Sequence, residues 1–233
     1  MSDIRRQRLW LLGASAVVAV AVVVIAIAIG QAGGGRAGTT TGTPAGIAAT
    51  RALFAGIPQR GVELGAPRAP VTVTEFADLQ CPYCGQSARD RLPDIVRRYV
   101  RPGRVKLVFR GLAFLGRDSL TGAQMAAAAA LQNRVWQLVD LVYRNQGEEG
   151  AGWVTDAYLR RVAAGAGLDR GRAFAQRRSG AALAILSQAK AAARAAGVKE
   201  TPTFVVARPG HAPVAVVGNV DLAGPIDEAL RGP

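Results

Sequence analysis

Val71-Thr-Val-Thr-Glu-Phe-Ala-Asp-Leu-Gln-Cys-Pro-Tyr-Cys84 is the stretch from which the fold is read. Its first seven residues are rich in β-branched side chains and predict a strand, whereas residues 88–100 set Leu92, Ile95, Val96 and Tyr99 on one side of a helix. The chain therefore turns from strand to helix at Cys81-Pro82-Tyr83-Cys84, with Cys81 opening the helix. Unpaired backbone N–H groups and the positive end of the helix dipole stabilise a thiolate there, the form that attacks a disulfide or leaves from one. These are the only two cysteines among 233 residues. A structural bridge closing so short a loop removes little entropy from the unfolded chain. A zinc or iron–sulfur site normally wants four Cys or His ligands, and the chain offers two cysteines and the single His211. Two unrelated thiols are the third alternative. The spacing, the proline between the cysteines and the strand before them favour a redox dithiol, with no metal and no cofactor.

The segments Glu-Phe-Ala-Asp-Leu-Gln-Cys-Pro-Tyr-Cys (75–84) and Gly-Val-Lys-Glu-Thr-Pro-Thr-Phe-Val-Val (197–206) resemble the active-site strand and proline loop of DsbA-like thiol-disulfide oxidoreductases. Residues 56–65 resemble the lead-in of the exported or membrane-anchored members, and the helix over 126–141 with Trp136 resembles their helical insert. The resemblance spans about residues 56–230. It implies an α/β thioredoxin fold with an inserted helical domain, preceded here by an N-terminal transmembrane helix, and action on protein thiols and disulfides outside the cytoplasm. It makes Cys81 and Cys84 the redox-active pair and Glu75 a buried carboxylate that shuttles the proton of Cys84; burial suits that role by raising a carboxyl toward neutrality. With period two, Glu75 shares a face with Val71 and Val73. A plain edge-of-strand carboxylate is the alternative, and Asp78 reads as a loop residue helping the turn. Pro202, Thr201, Tyr83 and Pro82 become the substrate contacts, with the Thr201–Pro202 bond cis; an ordinary strand-initiating trans proline is the alternative.

Strongly oxidising DsbA enzymes have a histidine beside the second cysteine where this chain has Tyr83. A neutral ring stabilises the Cys81 thiolate less, and one lost contact lowers the potential by some tens of millivolts, given ~30 mV per 1.4 kcal/mol. Cys-Pro-Tyr-Cys also resembles the glutaredoxin motif, against which stand the chain length, the helical insert and the apolar N-terminal segment.

Residues 9–29 are twenty-one residues without a charge, which at ~1.5 Å per residue matches a bilayer's hydrocarbon core. Arg5, Arg6 and Arg8 precede them, so the positive-inside rule puts residues 1–8 in the cytoplasm and the rest outside a cell membrane crossed once. A cleaved signal peptide is the alternative, with Ala26-Ile27-Ala28 imitating a cleavage site. Arg5-Arg6 gives only a weak twin-arginine signal. Residues 30–55 read as a Gly/Thr-rich linker in which helical spacing begins near Ala45, and 56–233 as the catalytic domain with its insert at about 112–196. Within it, strands are expected at 71–76, 105–109, 203–207 and 213–217. Helices are expected at 84–100, 121–143, 155–164, 169–177, 181–196 and 221–230, the last capped by Asp221 or Asn219.

The net charge is +13, of which the first eight residues carry +2. Nucleic acid is set aside as a partner, because basic-aromatic interleaving is lacking and an exported domain rarely meets it. Twenty-six arginines against three lysines point to coding bias, with attraction to anionic membrane lipid as a side effect. His211 sits in a Pro-Gly-His-Ala-Pro turn as a solvated loop residue. The expected activity is that of a monomeric oxidase giving disulfides to cysteine-containing secreted or membrane proteins. Its reoxidation falls to a quinone-linked membrane partner of the DsbB or vitamin-K-epoxide-reductase type. A reductase or isomerase is the first alternative. An anchored chaperone using an apolar groove around Tyr83, Phe114 and Pro202 is an alternative of another class.

Overall fold

The computed structural model describes residues 42–231. In chain order these form α1 (Ile47–Phe54), β1 (Gln59–Arg60), β2 (Glu63–Leu64), β3 (Val71–Asp78), α2 (Pro82–Asp90), α3 (Leu92–Ile95), a π-helical turn (Val96–Val100) and β4 (Val105–Leu112). Five helices follow, α4 (Arg117–Ala130), α5 (Val135–Arg144), α6 (Asp156–Gly165), α7 (Arg170–Gln176) and α8 (Gly180–Ala195), before β5 (Thr203–Ala207), β6 (Val214–Val217) and α9 (Ala223–Arg231). The transmembrane segment expected at 9–29, and its cytoplasmic flank, lie outside the described residues. Among the described residues no helix is long and apolar enough to cross a membrane.

β3 is central in a sheet of order β1-β2-β4-β3-β5-β6. It pairs in parallel with β4, from Val71 against Val105 to Asp78 against Leu112, and antiparallel with β5, from Thr72 against Ala207 to Phe76 against Thr203. A parallel neighbour requires a crossover, here α2 and α3. Strand alternation divides the side chains between the two faces. Val73 and Glu75 point toward Ala88, Leu92, Ile95 and Leu222, whereas Phe76 packs with Leu112 of β4 and with Ala189 and Ala193 of α8. Helices α4 to α8, the insert between β4 and β5, share one continuous apolar core with the sheet. Trp136 is 1% exposed, meets Phe109 edge-on with centroids 6.1 Å apart, and donates from Nε1 to Val62 O at 3.1 Å.

The expected helix over 84–100 begins earlier and is broken. Pro82 occupies its first turn, where a missing N–H costs nothing, and Pro93 cannot donate back along the helix, so regular α-helix stops at Asp90 and resumes at Leu92. The expected helix over 121–143 is two helices. Asn133 adopts φ 56°, ending α4, and its Oδ1 accepts from Gly61 N at 2.7 Å, so the interruption docks the β1–β2 hairpin, which the periodicity does not reveal. Asp221 Oδ1 accepts from Ala223 N at 3.0 Å at the start of α9.

The helical spacing that begins near Ala45, within the linker bounds of 30–55, is realised as α1 over residues 47–54. Thr50 is buried in this helix and its Oγ1 donates to Asp140 Oδ2 of α5, an oxygen that also accepts from Arg144 Nε at 2.7 Å. A buried hydrogen bond to a carboxylate, with Phe54 in the core, fixes this short helix to the domain. Thr50→Val is expected to lower unfolding stability by about 1–3 kcal/mol with an unchanged urea m-value. A loss below about 0.5 kcal/mol would mean that α1 is not fastened through this bond.

Candidate active site

Cys81 caps α2. Its φ of −65° and ψ of 119° are extended, Pro82 follows at the first helical position, and the Cys81 Sγ accepts from Cys84 N at 3.4 Å. Both cysteines are thiols in this structure, and the Cys81 thiol donates to Thr201 O at 3.2 Å. The Thr201–Pro202 bond is cis, and Pro202 is buried at the start of β5. The structure thus brings Cys81 and Thr201, separated by 120 residues, into direct contact. Tyr83, in contrast, is 64% exposed and Phe114 49% exposed.

The two sulfurs sit in different electrostatic environments. The Cys84 thiol, donating to Cys81, is the largest cause pulling Cys81 down from the ordinary 9.0 to about 6, helped by backbone N–H groups of Tyr83 and Cys84 and opposed by burial. Cys84 is fully buried, and desolvation pushes its thiol far above the ordinary range, with its bond to Cys81 adding to the rise. At pH 7 one thiolate is therefore shared within the pair and resides on Cys81.

Glu75 lies on β3 beneath α2. It lines a cavity with Ser87 and Ala88, three and four residues beyond Cys84 and so on the Cys84 side of the helix. Burial alone raises the Glu75 carboxyl from 4.5 to about 7, and its charge contributes to the rise at Cys84. A carboxyl that titrates near neutrality beside a strongly basic buried thiolate can hand that thiolate its proton.

Four residues position the turn; Asp78 is the turn helper its sequence suggests, whereas Gln80, Tyr143 and Gln146 were not legible as such. Asp78, fully buried, accepts through Oδ1 from Gln80 N at 2.9 Å and through Oδ2 from Phe114 N at 2.7 Å and Leu115 N at 3.1 Å. Tyr143 Oη donates to Asp78 O at 3.2 Å. Gln80 donates to Leu115 O and accepts from Gly150 N. Gln146 Nε2 donates at 3.0 Å to the carbonyls of both Leu79 and Cys81. Asp before a turn carried a faint signal, since its side chain commonly bonds the N–H two residues on; nothing in the sequence pointed to Tyr143 or Gln146. Among the described residues no group of three His, Cys, Asp or Glu side chains is placed to hold a metal.

A thiol pair at the strand-to-helix turn and a cis-proline opposite it make a family comparison decisive. The family model for thioredoxin matches residues 59–211. The chain belongs to the thioredoxin family. It is 36% identical over 98 residues to the probable disulfide bond formation protein D of Bacillus cereus, covering 41% of this chain and 45% of that one. It is 37% identical over 163 residues to the Na(+)/H(+) antiporter NhaA 3 of Salinispora tropica, covering 67% and 23%. The aligned part thus spans less than half the length of either relative. In fold it is similar to oxidised BdbD from Bacillus subtilis, with a TM-score of 0.66 over 76% of this chain and 98% of that one at 22% identity. The architecture, a thioredoxin core interrupted by a helical insert, is that of the DsbA-like thiol-disulfide oxidoreductases.

Because folding raises the Glu75 pKa, its native-state stability is fully present below the ordinary 4.5 and is lost as pH rises through about 7. The loss amounts to about 3 kcal/mol at ~1.36 kcal/mol per pH unit. Glu75→Gln, which does not titrate, should therefore gain about 3 kcal/mol relative to the native chain between pH 4 and pH 8 in denaturant unfolding. Parallel stability curves for the two proteins would show that Glu75 is not held in the apolar cavity.

Proposed function

We propose that the chain is an extracytoplasmic thiol-disulfide oxidase that gives its Cys81–Cys84 disulfide to cysteine-containing secreted or membrane proteins. The observation that carries this reading is the split between a Cys81 that is acidic, at about 6, and a Cys84 that is buried and basic. An exchanging sulfur must be a good leaving group, and its partner must stay protonated and out of reach.

A substrate thiolate attacks Cys81 Sγ in the oxidised pair. The sulfur–sulfur bond breaks, and Cys84 leaves with the electron pair, taking a proton from Glu75. A second substrate thiolate then attacks the substrate sulfur of the mixed disulfide, and Cys81 departs as a thiolate. The substrate has lost two electrons and the dithiol holds them. Lowering the Cys81 thiol from 9.0 to about 6 favours this reduced form. At pH 7 the effect is roughly 1.4 kcal/mol, or about 30 mV toward the oxidising side. Thr201 and Pro202, at the mouth of the site, offer backbone to an extended substrate, and exposed Tyr83, with Pro82, offers an apolar contact. The reading includes a membrane span at residues 9–29 and a quinone-linked reoxidase in the same membrane, close to which the anchor would hold the domain. The name of the Bacillus cereus relative supports disulfide formation as the direction of the reaction.

Stoichiometric oxidised protein mixed with reduced, unfolded ribonuclease tests the assignment. Ribonuclease activity should return as each oxidised protein removes two thiols from ribonuclease and gains two of its own, and Cys81→Ser should transfer nothing. Suppressed aggregation with the ribonuclease thiols unchanged would instead identify a chaperone.

A further inference from the structure

Outside the dithiol site the described residues form a second concavity, of about 470 Å³, where α1, α6 and the start of α7 converge. Four arginines line it, Arg51, Arg160, Arg161 and Arg170, and no acidic residue does. Among the described residues none of the four takes part in a salt bridge. The nearest acids are already engaged. Asp156, four residues before Arg160 on α6, binds both terminal nitrogens of Arg177 at 2.6 and 3.1 Å, and Asp169 caps α7 by accepting from Arg172 N at 3.0 Å. The Arg160 guanidinium is held over the Phe174 ring, 4.1 Å from its centroid.

Four like charges brought together by three elements repel one another, and Asp156, the acid whose charge reaches Arg160, is already bound by Arg177. Guanidinium groups match tetrahedral oxyanions by paired N–H donation, so such a cluster is complementary to phosphate. The concavity also has an apolar side, formed by Ile47 and Ala164. We propose that this pocket binds a phosphate ester anion, the four arginines taking the phosphate and the Ile47 side meeting the carbon part of the same molecule. A phospholipid headgroup and free phosphate share the chemistry; the apolar wall favours the lipid. The proposal goes beyond the redox reading and does not depend on it.

Calorimetric titration of the full chain in nonionic detergent tests it, with dihexanoyl-phosphatidylglycerol, dihexanoyl-phosphatidylcholine and inorganic phosphate as probes. Saturable binding of the glycerol lipid in preference to the choline lipid is expected. The double substitution Arg51→Gln with Arg170→Gln, both exposed, should weaken it roughly tenfold or more. Arg97→Gln with Arg98→Gln, which removes the same charge from a surface pair with Asp94, should leave it within about twofold. Glycerol-lipid binding that phosphate does not compete away identifies a lipid source, and binding of inorganic phosphate alone identifies free phosphate as sufficient; either supports the pocket. No saturable binding of any probe, or equal weakening by the two double variants, overturns it. Ribonuclease oxidation by the same variants should be unchanged, so a failure of the redox reading would be seen separately.

Discussion

The turn from β3 into α2 depends on the buried carboxylate of Asp78. Its two oxygens satisfy three backbone N–H groups, one in the turn and two after β4, and its carbonyl accepts from both Cys81 N and Tyr143 Oη. A buried carboxylate is tolerated only when donors surround it, and here they come from two separate parts of the chain, the turn and the segment after β4. Removing the carboxylate would orphan those three N–H groups together. The helical insert is thereby part of the dithiol site, since Tyr143 and Gln146 hold the carbonyls on either side of Cys81.

Burial then does most of the chemical tuning. Glu75 and Cys84 are both buried at β3 and α2, and the Glu75 charge opposes the ionisation of Cys84. Charge is accordingly driven out to Cys81, where α2 begins and its N–H groups point at the sulfur. The same desolvation that destabilises an ionised Glu75 gives that carboxyl a pKa near 7 and makes it a usable proton donor. Local instability and function are two sides of one placement.

Much of this was legible in the sequence because it is local. The β-branched run over 71–77, the Cys-Pro-Tyr-Cys turn and the closing strands near 203–207 and 213–217 announce themselves through period and residue type. Resemblance supplied the pairing of Thr201–Pro202 with the cysteines, which no periodicity contains. The break at Asn133, the two-residue strands β1 and β2, and the docking of α1 through Thr50 and Asp140 were hidden, because each is decided by a partner distant in the chain, whereas the break at Arg91 turns on nearby Pro93. Gln146 illustrates the limit: a polar residue before Gly147 reads as loop, and only the folded insert turns its amide toward the Leu79 and Cys81 carbonyls.

A stabilised Cys81 thiolate makes the Cys81–Cys84 disulfide an electron acceptor for other proteins' thiols. The most direct test of this is the reduction potential of the full chain in mild detergent, equilibrated with defined glutathione ratios and followed by counting free thiols. The account predicts a value at the oxidising end, about −120 to −180 mV. A value near about −270 mV, the thioredoxin range, would contradict it and make the chain a reductase.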